Sequence, residues 1–121
     1  MKETGSEFVF ATHYGKANRP MYTQPCADDQ DVTESFDMLF RGLEMNSGAQ
    51  RVHDNDILVH NIREKGLQPE SFASYLEIFQ YGMPPHGGFA IGAERLVCKI
   101  LGLQNIREAV LFPRDRFRLT P

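Results

Sequence analysis

Asp37, Glu44, Ser47 and Arg51 fall within one short stretch, SFDMLFRGLEMNSGAQR, and their types suit chemistry by charge. Two neighbouring carboxylates, Asp37 and Glu44, repel unless a cation sits between them. Mg2+ is a hard ion that takes oxygen ligands and is usually shared with substrate phosphates, so it suits such a pair. The Ser47 hydroxyl can add an oxygen, and Arg51 offers a planar fork of donors that grips a carboxylate in bidentate fashion. A second stretch, PPHGGFAIGAER, runs from Pro84 to Arg95. A strand face made of Gly88, Ala90 and Gly92 lets a flat ring or a backbone come close. Arg95, at a helix start, can stack on that ring or bind phosphate, and the helix N-terminus itself favours anions. The stretch is neither a Walker A motif nor a complete GxGxxG. Plainer interpretations exist for both stretches: a solvated sheet face with a surface ion pair, and tight strand-to-helix packing. His86 alone reads more readily as a structural or surface histidine than as a ligand. Residue types alone leave these alternatives open.

The pattern around these residues says how they are carried. Ser35–Phe40 and Leu43–Ser47 flank Arg41-Gly42, which predicts a two-residue hairpin loop. Pairing Phe40 with Leu43 puts Phe36, Met38, Phe40, Leu43 and Met45 on a helix-covered core face. Asp37, Leu39, Glu44 and Asn46 fall on the other. Ser47-Gly48-Ala49 can hold a bulge. Upstream, Glu7–Thr12 reads as a strand, Gly15–Pro20 breaks it, and Met21–Thr23 can begin another. The polar, acidic stretch Gln24–Val32 reads as a mobile loop. Downstream, one helix is expected near Asp56–Lys65, burying Leu58 and Ile62 and stopping at Gly66. A second begins at Pro69, with Phe72, Leu76 and Phe79 at helical spacing before Gly82. A third spans Ala93–Leu101, with Leu96, Val97, Ile100 and Leu101 available for packing. Strands and helices follow one another without a βαβ repeat, so the expected class is α+β with an antiparallel sheet.

Composition narrows the function classes. At 121 residues, 41% hydrophobic and 24% charged, the chain fits one compact soluble domain. A formal charge of −3 argues against a general nucleic-acid-binding surface. No apolar run is long enough for a membrane helix, and MKETGSEF lacks a signal-peptide pattern. Cys26 and Cys98, far apart and outside a CxxC spacing, read as reduced thiols, consistent with a cytoplasmic protein.

The two stretches occur together and in this order, and that combination is specific. GGFAIGAERLVCKILGLQNIREAVLFPRD resembles motif 3 of the class II aminoacyl-tRNA synthetases. SFDMLFRGLEMNSGAQRVHD resembles the aspartyl-tRNA synthetases of archaeal and eukaryotic type, as do FVFATHYGKANRPMYT and the closing RLTP. The likeness covers Ser6 to Pro121. It implies that Glu44 contacts ATP and binds Mg2+, that Ser47 touches Mg2+ and aspartate, and that Asp37 helps with a metal. Arg51 would hold the aspartate side-chain carboxylate. Gly92, Ala93, Glu94 and Arg95 would form the ATP-binding stretch, with Arg95 the catalytic arginine. Tyr22, Gln50, His86 and Gly88 would line the aspartate pocket. The implied reaction joins aspartate to ATP and then to tRNA, by positioning and charge stabilisation without a protein nucleophile.

Four positions depart from the family pattern: Ala90, Ala93, Ala49 and Gly15, none of which removes an implied charged ligand. Motif 1, motif 2 and an anticodon-reading barrel are not found in these residues. The expectation is therefore the motif 3 portion of a larger, homodimeric enzyme, inactive alone. A noncatalytic synthetase-like module that binds a nucleotide, an amino acid or a protein is the alternative, as is a related asparagine synthetase. An asparaginyl-tRNA synthetase fits NRPMYT and SGAQRVH less well.

Overall fold

Residues 5–120 are described by a computed structural model. Its strands are β1 (Phe8–Thr12), β2 (Ser35–Phe40), β3 (Leu43–Arg51) and β4 (His86–Ile91), in the spatial order β1-β2-β3-β4. The pairing is antiparallel: the His13 amide donates to Ser35 O and the Arg41 amide to Glu7 O, so rising numbers meet falling ones. The expected α+β class with an antiparallel sheet and helices is what the chain adopts. By contacts the chain divides into two compact units. Residues 37–47 and 90–121, with the described part of 1–10, form what we call the tip unit, and residues 11–36 and 48–89 the core unit. All four strands contribute residues to both, and β3 alone runs nine residues, about 30 Å of extended chain.

In the tip unit the hairpin turn forms as the sequence predicts. Arg41 (φ 48°) and Gly42 (φ 78°) are both left-handed, as the turn that matches strand twist requires. Arginine is a costly residue there. Three contacts offset that cost: an ion pair from Nε to Glu7 Oε1 (2.6 Å), a hydrogen bond from Nη1 to Lys99 O (3.2 Å), and the guanidinium over the Phe40 ring. Phe8 stacks on Phe40 at 4.4 Å, and Phe40 and Met45 are buried. The helix of this unit is α3 (Ala93–Leu101), which ends at Gly102 with φ 68°. Its expected packing residues Val97, Ile100 and Leu101 are exposed instead, Leu101 at 66%. Cys98 is the buried position of α3, whose neighbour is the short 3-10 turn Ile106–Ala109.

The core unit is built on a closed apolar cluster. Val52, Leu58 and Ile62 are fully buried, with Leu76 and Phe79 beside them. Each such side chain contributes about 1.5–3 kcal/mol through burial. Helix α1 (Asn55–Glu64) starts where the Asp54 carboxylate accepts from the amides of Asp56 and Ile57, and the chain leaves it through Gly66 at φ 72°. Pro69 opens a 3-10 turn, Pro69–Phe72, that leads into α2 (Ala73–Gln80), so the second expected helix is two-part.

Several expectations change. Met21–Thr23 is not a strand; it makes only a bridge from Thr23 to Arg51, because Pro20 and the 3-10 turn Lys16–Asn18 leave too little extended chain. Gln24–Val32 is closed at its base: the Cys26 amide donates to Val32 O, and the Gln30 side chain to Cys26 O. Phe36 is not under a helix. Its ring sits beside Gly48, where an added Cβ would lie 2.5 Å from Phe36 Cζ and 2.9 Å from Phe89 Cβ. The bulge expected near Gly48 is present in the register. Uniform pairing from the turn sets Ala49 opposite Glu34, yet the Gln50 amide donates to Glu34 O at 2.9 Å. One extra residue in β3 therefore reverses the alternation beyond it.

Candidate functional site

The tip unit brings Glu44 and Arg95 together. Arg95 Nη1 donates to the Glu44 carbonyl at 3.0 Å and lies 3.4 Å from Glu44 Oε1. Both side chains are about half exposed, so the pair contributes at most about 1 kcal/mol. What fixes Arg95 is its stem. Gly92 precedes α3, and a Cβ there would stand 3.2 Å from Arg95 Cδ, so the glycine leaves room for the side chain to fold back. The Gly92 amide donates to Met45 O at 2.8 Å, and the Leu96 amide opens the helix on Gly92 O. Ala93 and Glu94 are exposed on the first turn of α3. Ser47 is half-buried, whereas Asp37 is buried at 9% exposure rather than displayed on an open face, because β2 is flanked by β1 and β3. The donor set Asp37, Glu44 and Ser47 is all oxygen, which fits a hard cation such as Mg2+. With Arg95 anchored by a main-chain carbonyl, the Glu44 carboxylate can exchange its arginine contact for a cation at small cost.

The core unit holds Arg51. Its guanidinium stands 4.8 Å from the centroid of the Tyr22 ring. Tyr22 is placed there by main-chain bonding, since Tyr22 O accepts from the Val52 amide at 2.8 Å. Gly88 supplies the opposite wall: a Cβ at Gly88 would come within 3.0 Å of both Nε and Nη2. Tyr75 completes the surround. Burial raises its phenol above the ordinary range, while the nearby Arg51, also hydrogen-bonded to it, pulls the other way. Tyr75 is a lining residue the sequence did not point to; its only signal is a polar-tipped ring between Phe72 and Phe79 on one helix face. His86 is half-buried, with Nδ1 3.1 Å from Pro84 O and its ring tilted toward Phe79. Gln50 is exposed and, as the strand neighbour of Arg51, points to the other face, where it borders a cleft with Phe36 and Phe89. Tyr22, Arg51 and Gly88 thus converge, and the cleft that Gln50 borders is also lined by His86 and Gly88. No helix among the described residues is long and apolar enough to cross a membrane.

The comparisons with known proteins agree with the antiparallel sheet and its helices. Residues 1–116 match the family model for tRNA synthetases class II (D, K and N), and the chain belongs to that family. It is 57% identical over 117 residues to the aspartate–tRNA(Asp/Asn) ligase of Thermus thermophilus, covering 97% of this chain and 27% of that protein. With the aspartate–tRNA(Asp) ligase of Pyrococcus abyssi it shares 52% over 121 residues, 28% of that protein. The solved aspartyl-tRNA synthetase of Entamoeba histolytica superposes with a TM-score of 0.94 at 42% identity, covering 99% of this chain and 25% of that one. The chain thus spans about a quarter of the length of the relatives it matches.

Proposed function

We propose that this chain contributes part of the active site of an aspartate–tRNA ligase, the portion that carries motif 3. The observation that supports it best is Arg51, held over Tyr22 with Gly88 leaving its donor edge unobstructed. A fork of donors presented in this way suits one small carboxylate, such as the side chain of aspartate. The high identity to proteins named as aspartate ligases points the same way.

In this reading the aspartate α-carboxylate attacks the α-phosphorus of ATP, pyrophosphate leaves, and the aspartyl group of the resulting adenylate passes to tRNA with release of AMP. Arg51 binds the substrate side-chain carboxylate, and Tyr22, His86 and Gly88 border that pocket. Gln50 reaches its rim from the cleft that it shares with His86 and Gly88. On the nucleotide side, Gly92, Ala93 and Glu94 shape the approach, and Arg95 meets the adenine ring or a phosphate. Glu44, Ser47 and Asp37 would hold Mg2+, which when bound neutralises phosphate charge. The chain's own part is to orient and to neutralise, so no nucleophilic side chain is needed. Aspartate, ATP and tRNA are the partners, in a homodimeric, cytoplasmic enzyme.

The test is Arg51→Leu in the full-length protein. Losing a hydrogen-bonded charge contact costs about 1.5–3 kcal/mol, so aspartate KM should rise at least tenfold while ATP KM holds. An unchanged aspartate KM refutes the assignment.

A further inference from the structure

We propose that His13, Cys26 and Glu34, in the core unit, form a binding site for a borderline divalent cation of the zinc class. One ring nitrogen of His13, Sγ of Cys26 and a carboxylate oxygen of Glu34 all lie within 4.8 Å of one another. Three separate backbone segments bring them there. The His13 amide donates to Ser35 O, next to Glu34, and Pro25 bridges to Thr33 on the same stretch. Cys26 is fixed by its amide bond to Val32 O and by the Gln30 side chain on its carbonyl.

The geometry is close to what a tetrahedral ion needs. His13 Nε2 stands 3.9 Å from Glu34 Oε2. Two ligands each about 2.0–2.1 Å from a tetrahedral zinc are about 3.3 Å apart, so a shift of a few tenths of an ångström per side chain closes the His13–Glu34 pair. Both side chains are free enough for this, at 62% and 43% exposure, while Cys26 is buried and serves as the fixed point. His13 is also pre-oriented: its Nδ1 is 2.9 Å from Thr12 Oγ1, which leaves Nε2 to face Glu34. Metal-bound histidines use their second nitrogen in this manner. Asp28 and Asp29, on the Cys26 loop, add negative charge around the thiol.

Donor chemistry selects the ion. A thiolate with an imidazole disfavours Mg2+ and Ca2+ and suits Zn2+ or Co2+, with water in the fourth position. On binding, the Cys26 thiol releases its proton to solvent. Such an ion would draw His13 and Glu34, within 4.8 Å of Cys26 Sγ, about 1 Å further toward the sulfur, and would tie the end of β1, the base of the 24–32 loop and the start of β2 into one node.

Titration of the purified full chain with Co2+, then displacement by Zn2+ in competition with a chromophoric chelator, tests this. One ion per chain is expected, with a thiolate-to-cobalt charge-transfer band. Cys26→Ser should abolish the band, and His13→Asn and Glu34→Gln should each weaken binding at least tenfold. Asparagine tolerates the left-handed backbone of His13, at φ 59°, so that variant should keep its fold. It and Glu34→Gln decide the matter should Cys26→Ser misfold. Cys98→Ser should change nothing. A wild-type chain without the band, or an affinity indifferent to both exposed-ligand variants, overturns the proposal.

Discussion

The tip unit and the core unit share all four strands yet are held in opposite ways. The core unit closes an apolar cluster of its own around Val52, Leu58 and Ile62. The tip unit buries little beyond Phe40, Met45 and Cys98, and leaves Ile100, Leu101, Leu111, Phe112, Phe117 and Leu119 well exposed. The candidate site residues follow the same division. Arg51 sits among packed rings, whereas Glu44 and Arg95 lie half exposed on a unit that brings few partners. The arginine proposed to bind substrate is thus pre-set by a local core, while the proposed nucleotide surface depends on whatever covers its unit.

The largest expected effect concerns catalysis by the 121-residue polypeptide alone. The resemblance sets the arginine that meets the α-phosphate outside these residues, and one such preorganised contact is worth about 10²–10³ in rate. Aspartate-dependent exchange of labelled pyrophosphate into ATP should be no greater than for a Glu44→Ala control. The exposed apolar face of the tip unit should also make the polypeptide self-associate. Clear exchange would show that the tip unit is self-sufficient.

Next in size is a pair of truncations. Leu58→Ala in the core unit should destabilise by about 2–5 kcal/mol, the usual cost of a buried leucine. Ile100→Ala, at 61% exposure in the tip unit, should stay within about 0.5 kcal/mol. Urea midpoints of the two variants measure this, and equal losses would dissolve the distinction between the units. Gly48→Ala should come below Leu58→Ala, at about 1–3 kcal/mol, since its methyl must displace the Phe36 ring.

The smallest effect separates two carboxyls held below the usual range by different causes. Glu64, in the core unit, is lowered chiefly by its hydrogen bond from the Lys16 ammonium. Asp115, in the tip unit, is lowered chiefly by the Phe117 amide, with burial opposing and Arg107 adding. Both are depressed in the folded state. Each therefore adds stability above its unfolded value that is lost as pH falls through its folded value. Added salt should move Glu64 back toward its ordinary value more than Asp115, because a side-chain ion pair is screened and a local amide bond is not. Carboxyl-carbon NMR titrations at two ionic strengths should show it; equal responses would remove the contrast.

How far the sequence went depended on the range of the interaction. The Arg41-Gly42 turn, the stop at Gly66 and the burial of Leu58 and Ile62 are local signals, and all were legible. The exposure of Ile100 and Leu101 was not, because helical spacing shows which side chains line up but not whether anything covers them. The burial of Asp37 depends on strands at both flanks of β2. Tyr75 meets Arg51 only through the tertiary path of α2, and His13, Cys26 and Glu34 have no spacing that marks them. The roles proposed for Glu44, Ser47 and Arg51 come from resemblance, which compresses many folded chains into a pattern.

Two side chains of α1, with that of Lys65 at its C-terminal cap, reach the segment before Tyr22. Asn61 Nδ2 donates to Met21 O at 3.0 Å, the Lys65 ammonium donates to Lys16 O and Ala17 O, and Glu64 accepts from the Lys16 ammonium. This segment belongs to no strand, so the helix splints it. Its opening is then coupled to that of α1 rather than to loop fraying, and its main-chain amides should exchange with solvent water on the slow timescale of the helix. Tyr22, the ring beneath Arg51, inherits that slowness.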